Sequence, residues 1–126
     1  MVRRGDVSSL ELVDACIRRI ERVNPALNAV VATRFDAARA EARAADDAVR
    51  RGGDLPALHG VPCTIKDFLA VKGLPQTGGL VARKNAVASD DAVIVRRIRA
   101  AGAVVVGTTN VPEGGLYLET DNKVYG

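Results

Sequence analysis

The sequence predicts an α/β fold, a sheet with helical cover, on three observations. Apolar residues recur at helical spacing in two stretches within the first 51 positions. A short segment from Val61 then switches to a period of two. A third amphipathic stretch separates that segment from an apolar, β-branched run, which gives the order strand, helix, strand.

The first helix is predicted over 8–23, because Leu10, Val13, Ile17 and Ile20 recur at spacings of three and four with Arg18, Arg19 and Arg22 between them. Ser8 and Glu11 fit a capping box at its start, and Asn24-Pro25 is expected to end it, since the residue before proline is pushed out of helical conformation. Residues 24–31 then cross to a second helix over 33–51, whose stripe is Phe35, Ala38, Ala42, Ala45 and Val49 and whose end is Gly52-Gly53. After a polar turn, Val61, Cys63 and Ile65 alternate with Thr64 and Lys66 as a short strand. Pro62 lacks a backbone donor and belongs at the first residue of that strand or on an edge. Residues 73–80, with Pro75 and Gly78-Gly79, read as a loop. Ser89 is the expected N-cap of a third helix, with Asp90 and Asp91 in its first turn, Arg96, Arg97 and Arg99 in its last turns and Gly102 at its end. Residues 103–106 form a buried strand, and Gly107-Thr108-Thr109-Asn110 is expected to leave it as a polar loop.

At 126 residues, 48% hydrophobic and 26% charged, the chain suits one globular domain. Only 3% of residues are aromatic and Trp is absent, so the core must come from Ala, Val, Leu and Ile. A net charge of +3, spread along the sequence, gives no basis for a nucleic-acid partner. The longest uncharged stretch, 100–112, is too short and too interrupted for a membrane span. Arg3 and Arg4 are followed by Gly5 and Asp6 where a secretory signal needs an apolar run, so the expected compartment is the cytoplasm. Cys16 and Cys63 are accordingly expected to be reduced thiols.

Among reactive side chains Lys66 stands out, because it ends an apolar strand beside Asp67 and Phe68. Desolvation can neutralise a lysine and make it a base. The bland alternative is a solvated charge at a strand end. His59 and Cys63 lie four apart, but the intervening turn-like residues argue against a Cys-His dyad, leaving Cys63 as a small core residue and His59 as a turn residue bonded to backbone. No clustered ligands point to a metal. Gly78-Gly79 and Gly114-Gly115 match neither the dinucleotide fingerprint nor a phosphate loop and read as turns. The serines are Ser8, Ser9 and Ser89, all expected at helix starts, so a base at Lys66 lacks a nucleophile within this sequence.

The run Leu58-His59-Gly60-Val61-Pro62-Cys63-Thr64-Ile65-Lys66-Asp67 resembles the N-terminal part of the amidase signature family, in which Gly-Val-Pro leads to a Lys-Asp pair. The likeness continues through Gly73-Leu74-Pro75, Thr77-Gly78-Gly79, Arg99-Ala100-Ala101-Gly102-Ala103-Val104, Gly107-Thr108-Thr109-Asn110, Glu113 and Asn122-Lys123-Val124-Tyr125-Gly126. Upstream, Ser8-Ser9-Leu10-Glu11-Leu12-Val13 and Asn24-Pro25-Ala26-Leu27-Asn28-Ala29 are similar to the family's opening helix and connection. Leu80 and Thr108 depart from it, standing where many members carry serine and lysine.

The resemblance implies a mixed β-sheet covered by α-helices, with residues 1–126 as the N-terminal part of a single amidase domain, truncated before the serine-rich motif. It implies hydrolysis of a small-molecule carboxylic amide by a Ser-cisSer-Lys triad, with Lys66 as the lysine and no cofactor. Both serines and the oxyanion-hole residues belong to the missing C-terminal remainder, so the chain alone is expected to be inactive and to expose apolar surface. An alternative within the family is the A subunit of a glutamine-dependent transfer-RNA amidotransferase, which requires partner subunits and ATP. An alternative outside enzymology is a non-catalytic α/β interaction module.

Overall fold

The computed structural model describes residues 2–126. Three helices, α1 (Ser9–Leu27), α2 (Phe35–Arg51) and α3 (Val93–Ala100), enclose a sheet of β1 (Val30–Thr33), β2 (Pro62–Lys66) and β3 (Val104–Thr109). The sheet order is β1-β3-β2, with β1 antiparallel and β2 parallel to the central β3. The sheet is therefore mixed, and α3 lies within the β2-to-β3 connection.

The capping box at the start of α1 is present: Glu11 N–H donates to Ser8 Oγ at 3.0 Å, and Ser8 N–H donates to the Glu11 carboxylate at 2.8 Å. A second cap comes from α2, where the Asp46 carboxylate accepts the N–H groups of Ser9 at 2.6 Å and Leu10 at 3.1 Å. These bonds satisfy donors that a helix start otherwise leaves unpaired.

Three local expectations are corrected. First, α1 does not stop at Asn24-Pro25 but continues to Leu27 and closes at Asn28 in the left-handed conformation. Pro25 lies in the last turns, where a missing N–H costs one bond. Asn24 meanwhile brackets Val30 with its side chain, accepting from Val30 N at 2.7 Å and donating to Val30 O at 2.8 Å. That bracket starts β1 inside the stretch expected to be a connection.

Second, α3 begins at Val93, not after Ser89. Residues 88–92 are drawn to 70–74 by Gly73 N to Ala88 O, Ala88 N to Leu74 O and Ala92 N to Ala70 O. Asp91 accepts from Lys72 N at 2.7 Å and pairs with Arg99 at 3.0 Å, so it ties loop to helix rather than filling a first turn. Third, Gly107-Thr108-Thr109 is strand, not loop, because these residues pair with β1 on one side and β2 on the other.

The alternation along β3 divides the core. Val104 and Val106 pack with Val13, Ile17, Ala38 and Ala42 of α1 and α2, while Val105 packs with Ile65, Val71 and Val95. Alanine in α2 lets it approach closely, as the scarcity of aromatic residues requires. Pro62 is the first residue of β2, and among the described residues β2 is an edge strand whose outer side is unpaired. Leu116 and Leu118 are 81% and 98% exposed. No helix among the described residues is long and apolar enough to cross a membrane.

Candidate active site

Lys66 is the last residue of β2, placed opposite Thr109 at the end of β3, and its side chain is exposed. The next residue is fully buried. Asp67 N–H donates to Thr109 O at 2.9 Å, its carbonyl accepts from Gly78 N at 3.1 Å, and its carboxylate accepts from Thr77 N–H at 3.0 Å and the Thr77 hydroxyl at 2.6 Å. Thr77 Oγ1 in turn accepts from Gly79 N–H at 3.0 Å. Asp67 thus anchors the Gly78-Gly79 turn directly behind Lys66.

A third segment closes on the same anchor. Asn122 donates to Asn110 Oδ1 and to Val111 O, each at 2.7 Å, and its own Oδ1 accepts from Val124 N and Tyr125 N, each at 2.9 Å. Asn110 also donates to Gly126 O at 2.9 Å, and Asn28 donates to Tyr125 O at 2.7 Å. The chain end is thereby fixed to the exit of β3. Tyr125 directs its hydroxyl against Thr77 and Asp67 without a well-formed hydrogen bond, and burial pushes its phenol above the ordinary range, with the nearby Asp67 charge adding to the rise and the Thr77 hydroxyl opposing it. In the sequence, Thr77, Asn110, Asn122 and Tyr125 stand out only as motif members. Their places in the Thr-Gly-Gly, Thr-Asn and terminal Tyr-Gly blocks are the signal that marks them.

Lys66 opens on a pocket of about 310 Å³ that it lines with Phe68, Leu69, Val111 and Gly115. A larger cavity of about 480 Å³ between α1 and the free side of β2 is lined by Leu12, Cys16, Ile20 and Pro62 among others, and is chemically poorer. Its lining also includes Arg19, Cys63, Thr64 and Val106, but it brings no base and nucleophile together.

The other reactive residues are structural. His59 is buried, with Nε2 2.9 Å from Ala45 O of α2. Cys63 packs with the Val105 cluster, and burial raises its thiol above the ordinary range while the Arg99 and Arg34 charges oppose that rise. The two do not form a dyad. Ser9 donates its hydroxyl to Gly60 O at 2.7 Å, Ser8 serves as the α1 cap and Ser89 is exposed away from any helix. Among the described residues no group of three or more His, Cys, Asp or Glu converges as a metal site.

The family model described as Amidase matches residues 11–126. The chain is 43% identical over 125 residues to an indoleacetamide hydrolase of Bradyrhizobium diazoefficiens, covering 99% of this chain and 24% of that protein. It is 41% identical over 125 residues to the A subunit of a glutamyl-tRNA(Gln) amidotransferase of Roseiflexus castenholzii, covering 99% and 25%. The crystal structure of a bacterial aryl acylamidase of the amidase signature enzymes superposes with a TM-score of 0.89 at 35% identity, covering 99% of this chain and 26% of the other. The chain spans about a quarter of the length of the curated relatives it matches. The strand that ends at Lys66, the turns gathered around it and the match across residues 11–126 agree: the chain belongs to the amidase signature family.

Proposed function

We propose that this chain supplies the lysine of an amide-hydrolysing site, with Lys66 as the base of a Ser-cisSer-Lys triad. Residues 1–126 act in this reading as the N-terminal part of a single amidase domain in the cytoplasm, and both serines come from sequence beyond them. The observation that carries the reading is the placement of Lys66 at an open strand end whose backbone is locked by the buried Asp67. A rigid strand end holds a catalytic group more tightly than a loop.

Lys66 draws a proton through the bridging serine while the nucleophilic serine attacks the amide carbonyl. Backbone N–H groups hold the oxyanion, the proton taken up by Lys66 passes back to the leaving nitrogen, which departs as amine or ammonia, and water then attacks the acyl-serine to release the acid and restore the serine hydroxyl. Ser8, Ser9 and Ser89 do none of this, being a cap, a carbonyl partner and a loop residue. The chain alone is therefore inactive. The test is amide hydrolysis by the complete gene product, where Lys66→Ala should lower kcat/KM by roughly a thousandfold or more. Full activity of Lys66→Ala, or turnover by residues 1–126 alone, would contradict the reading.

The 41% identity to an amidotransferase component favours a second reading, glutamine hydrolysis within a transfer-RNA amidotransferase. That reading predicts glutamine turnover that depends on partner subunits and ATP, whereas a free-standing amidase needs neither.

A further inference from the structure

We propose that Asn28, Asn110 and Asn122 are positioning residues for the reaction: they clasp Tyr125 and Gly126 beside the strand end that carries Lys66, and so fix the point from which the serine-bearing chain departs. The proposal rests on the reading of Lys66 as the base and of the serines as lying beyond residue 126, since the path to them then leaves through Gly126.

Lys66 stands opposite Thr109, whose carbonyl accepts from Asp67 N–H at 2.9 Å. Asn110 is the next residue along, and it gathers two distant segments. Its backbone N–H donates to Ala29 O at 2.8 Å, while its side-chain amide donates to Gly126 O at 2.9 Å and to Asn28 O at 3.3 Å. Asn122 locks the second segment from within: its Oδ1 accepts from Val124 N–H and Tyr125 N–H, and its carbonyl accepts from Gly126 N–H at 2.9 Å. Its amide donates to Asn110 Oδ1 and Val111 O. Both asparagines are buried, and a buried polar pair with all its side-chain atoms bonded specifies a single arrangement.

Asn28 completes the clasp from the end of α1, donating its amide to Tyr125 O at 2.7 Å and to Gly126 O at 3.4 Å. Among the described residues it is the one non-glycine with positive φ, 48°. Glycine closes a helix in that conformation with less strain, so the backbone does not call for asparagine here and the amide does. The carbonyls of Tyr125 and Gly126 are thus both held by side chains, and the Tyr125 hydroxyl lies against Thr77 and Asp67. The strand end of Lys66 and the departure of the chain share one footing, formed by Asp67, Thr109 and Asn110. Such a footing governs rate, because misplacing a catalytic group by about 1 Å can cost on the order of a hundredfold.

The test is the rate at which a fluorophosphonate, which phosphonylates an activated serine with loss of fluoride, labels the complete gene product and its Asn28→Gly and Asn28→Asp variants. Glycine and aspartate both accept the left-handed conformation, and both remove the amide donor. Labelling of a serine beyond residue 126 should slow roughly tenfold or more in each variant, while the urea midpoint of Asn28→Gly stays at the wild-type value or above. A wild-type labelling rate in Asn28→Gly overturns the proposal. So does slowing that comes with a lowered midpoint in Asn28→Gly, which would be loss of fold rather than of position. Lys66→Ala separates this proposal from the reading beneath it: labelling that survives there defeats Lys66 as the base, and the Asn28 comparison still decides the clasp. A wild type that resists labelling, or takes the label on Ser8, Ser9 or Ser89, overturns both.

Discussion

Thr77 donates its hydroxyl to the carboxylate of Asp67 at 2.6 Å, and solvent reaches neither residue. This bond joins the strand end that carries Lys66 to the Gly78-Gly79 turn, so its loss should be felt in stability as well as at the site. Thr77→Val keeps the volume but strips the carboxylate of its shortest partner and Gly79 N–H of its acceptor. A buried charge that loses a bond costs about 2–3 kcal/mol. Thr77→Ser, which keeps the hydroxyl, should cost about 1 kcal/mol or less. Urea unfolding checks the pair, and equal midpoints for wild type and Thr77→Val would show that the bond contributes little.

Asp46 and Asp47 are neighbours on α2 with very different roles. Asp46 accepts from Ser9 N and Leu10 N across the helix pair, whereas Asp47 makes a surface ion pair with Arg50 one turn away. Removing a helix cap typically costs about 1–2 kcal/mol. Removing an exposed i,i+3 pair costs about 0.5 kcal/mol or less. Asp46→Ala should therefore lower the unfolding midpoint clearly and Asp47→Ala barely, and the reverse order would refute the capping role.

This contrast also shows why parts of the molecule are legible in the sequence and parts are not. The Ser8-Glu11 box can be read because both halves lie within three positions, and the Lys66 strand end because period-two alternation is local. Asp91 reads as a helix-start residue because its actual partner, Lys72 N, is 19 positions away. Thr108 and Thr109 read as loop because their polarity is visible in sequence while their pairing with β1 and β2 is not. The strand β1 itself has only four residues, and the helical pattern beginning at Thr33 conceals it. At the site, Lys66 stands out by position, but Asp67 acquires its role through bonds to Thr77 ten residues on, and Tyr125 through the Asn110-Asn122 bridge.

Glu11 gives the start of α1 a pH dependence of definite sign. Bonds from the Ser8 backbone N–H first, and from its hydroxyl second, hold the Glu11 carboxyl below the ordinary carboxylate range. The unfolded chain therefore binds this proton more readily than the folded one, and stability rises with pH through the acidic region. The contribution is fully present above the unfolded value and disappears as pH falls through the folded one. Stability curves of wild type and Glu11→Gln should converge as the pH drops from about 5 to about 3. Curves that stay parallel across that window would remove Glu11 from the account.

Gly107 is required for space rather than for backbone conformation. It lies in the central strand without a positive φ, yet a Cβ there would stand 2.3 Å from Ala32 O in β1 and 3.2 Å from Thr33 Cα. Both obstructing atoms are backbone, so relief requires β1 to move away from β3 and to lose pairing at Ala32 and Thr33. Gly107→Ala should cost about 3 kcal/mol, the upper part of the range for overpacking. Gly73 supplies the control, because its φ of 80° is left-handed but nothing lies within 4 Å of an added Cβ. Gly73→Ala should cost about 1–2 kcal/mol from backbone conformation alone. Hydrogen exchange separates the two causes: Gly107→Ala should accelerate the amide of Arg34, which donates to Val106 O at 3.1 Å, whereas Gly73→Ala should leave it protected. Protection of Arg34 retained in Gly107→Ala would mean that β1 accommodates the methyl group without parting from β3.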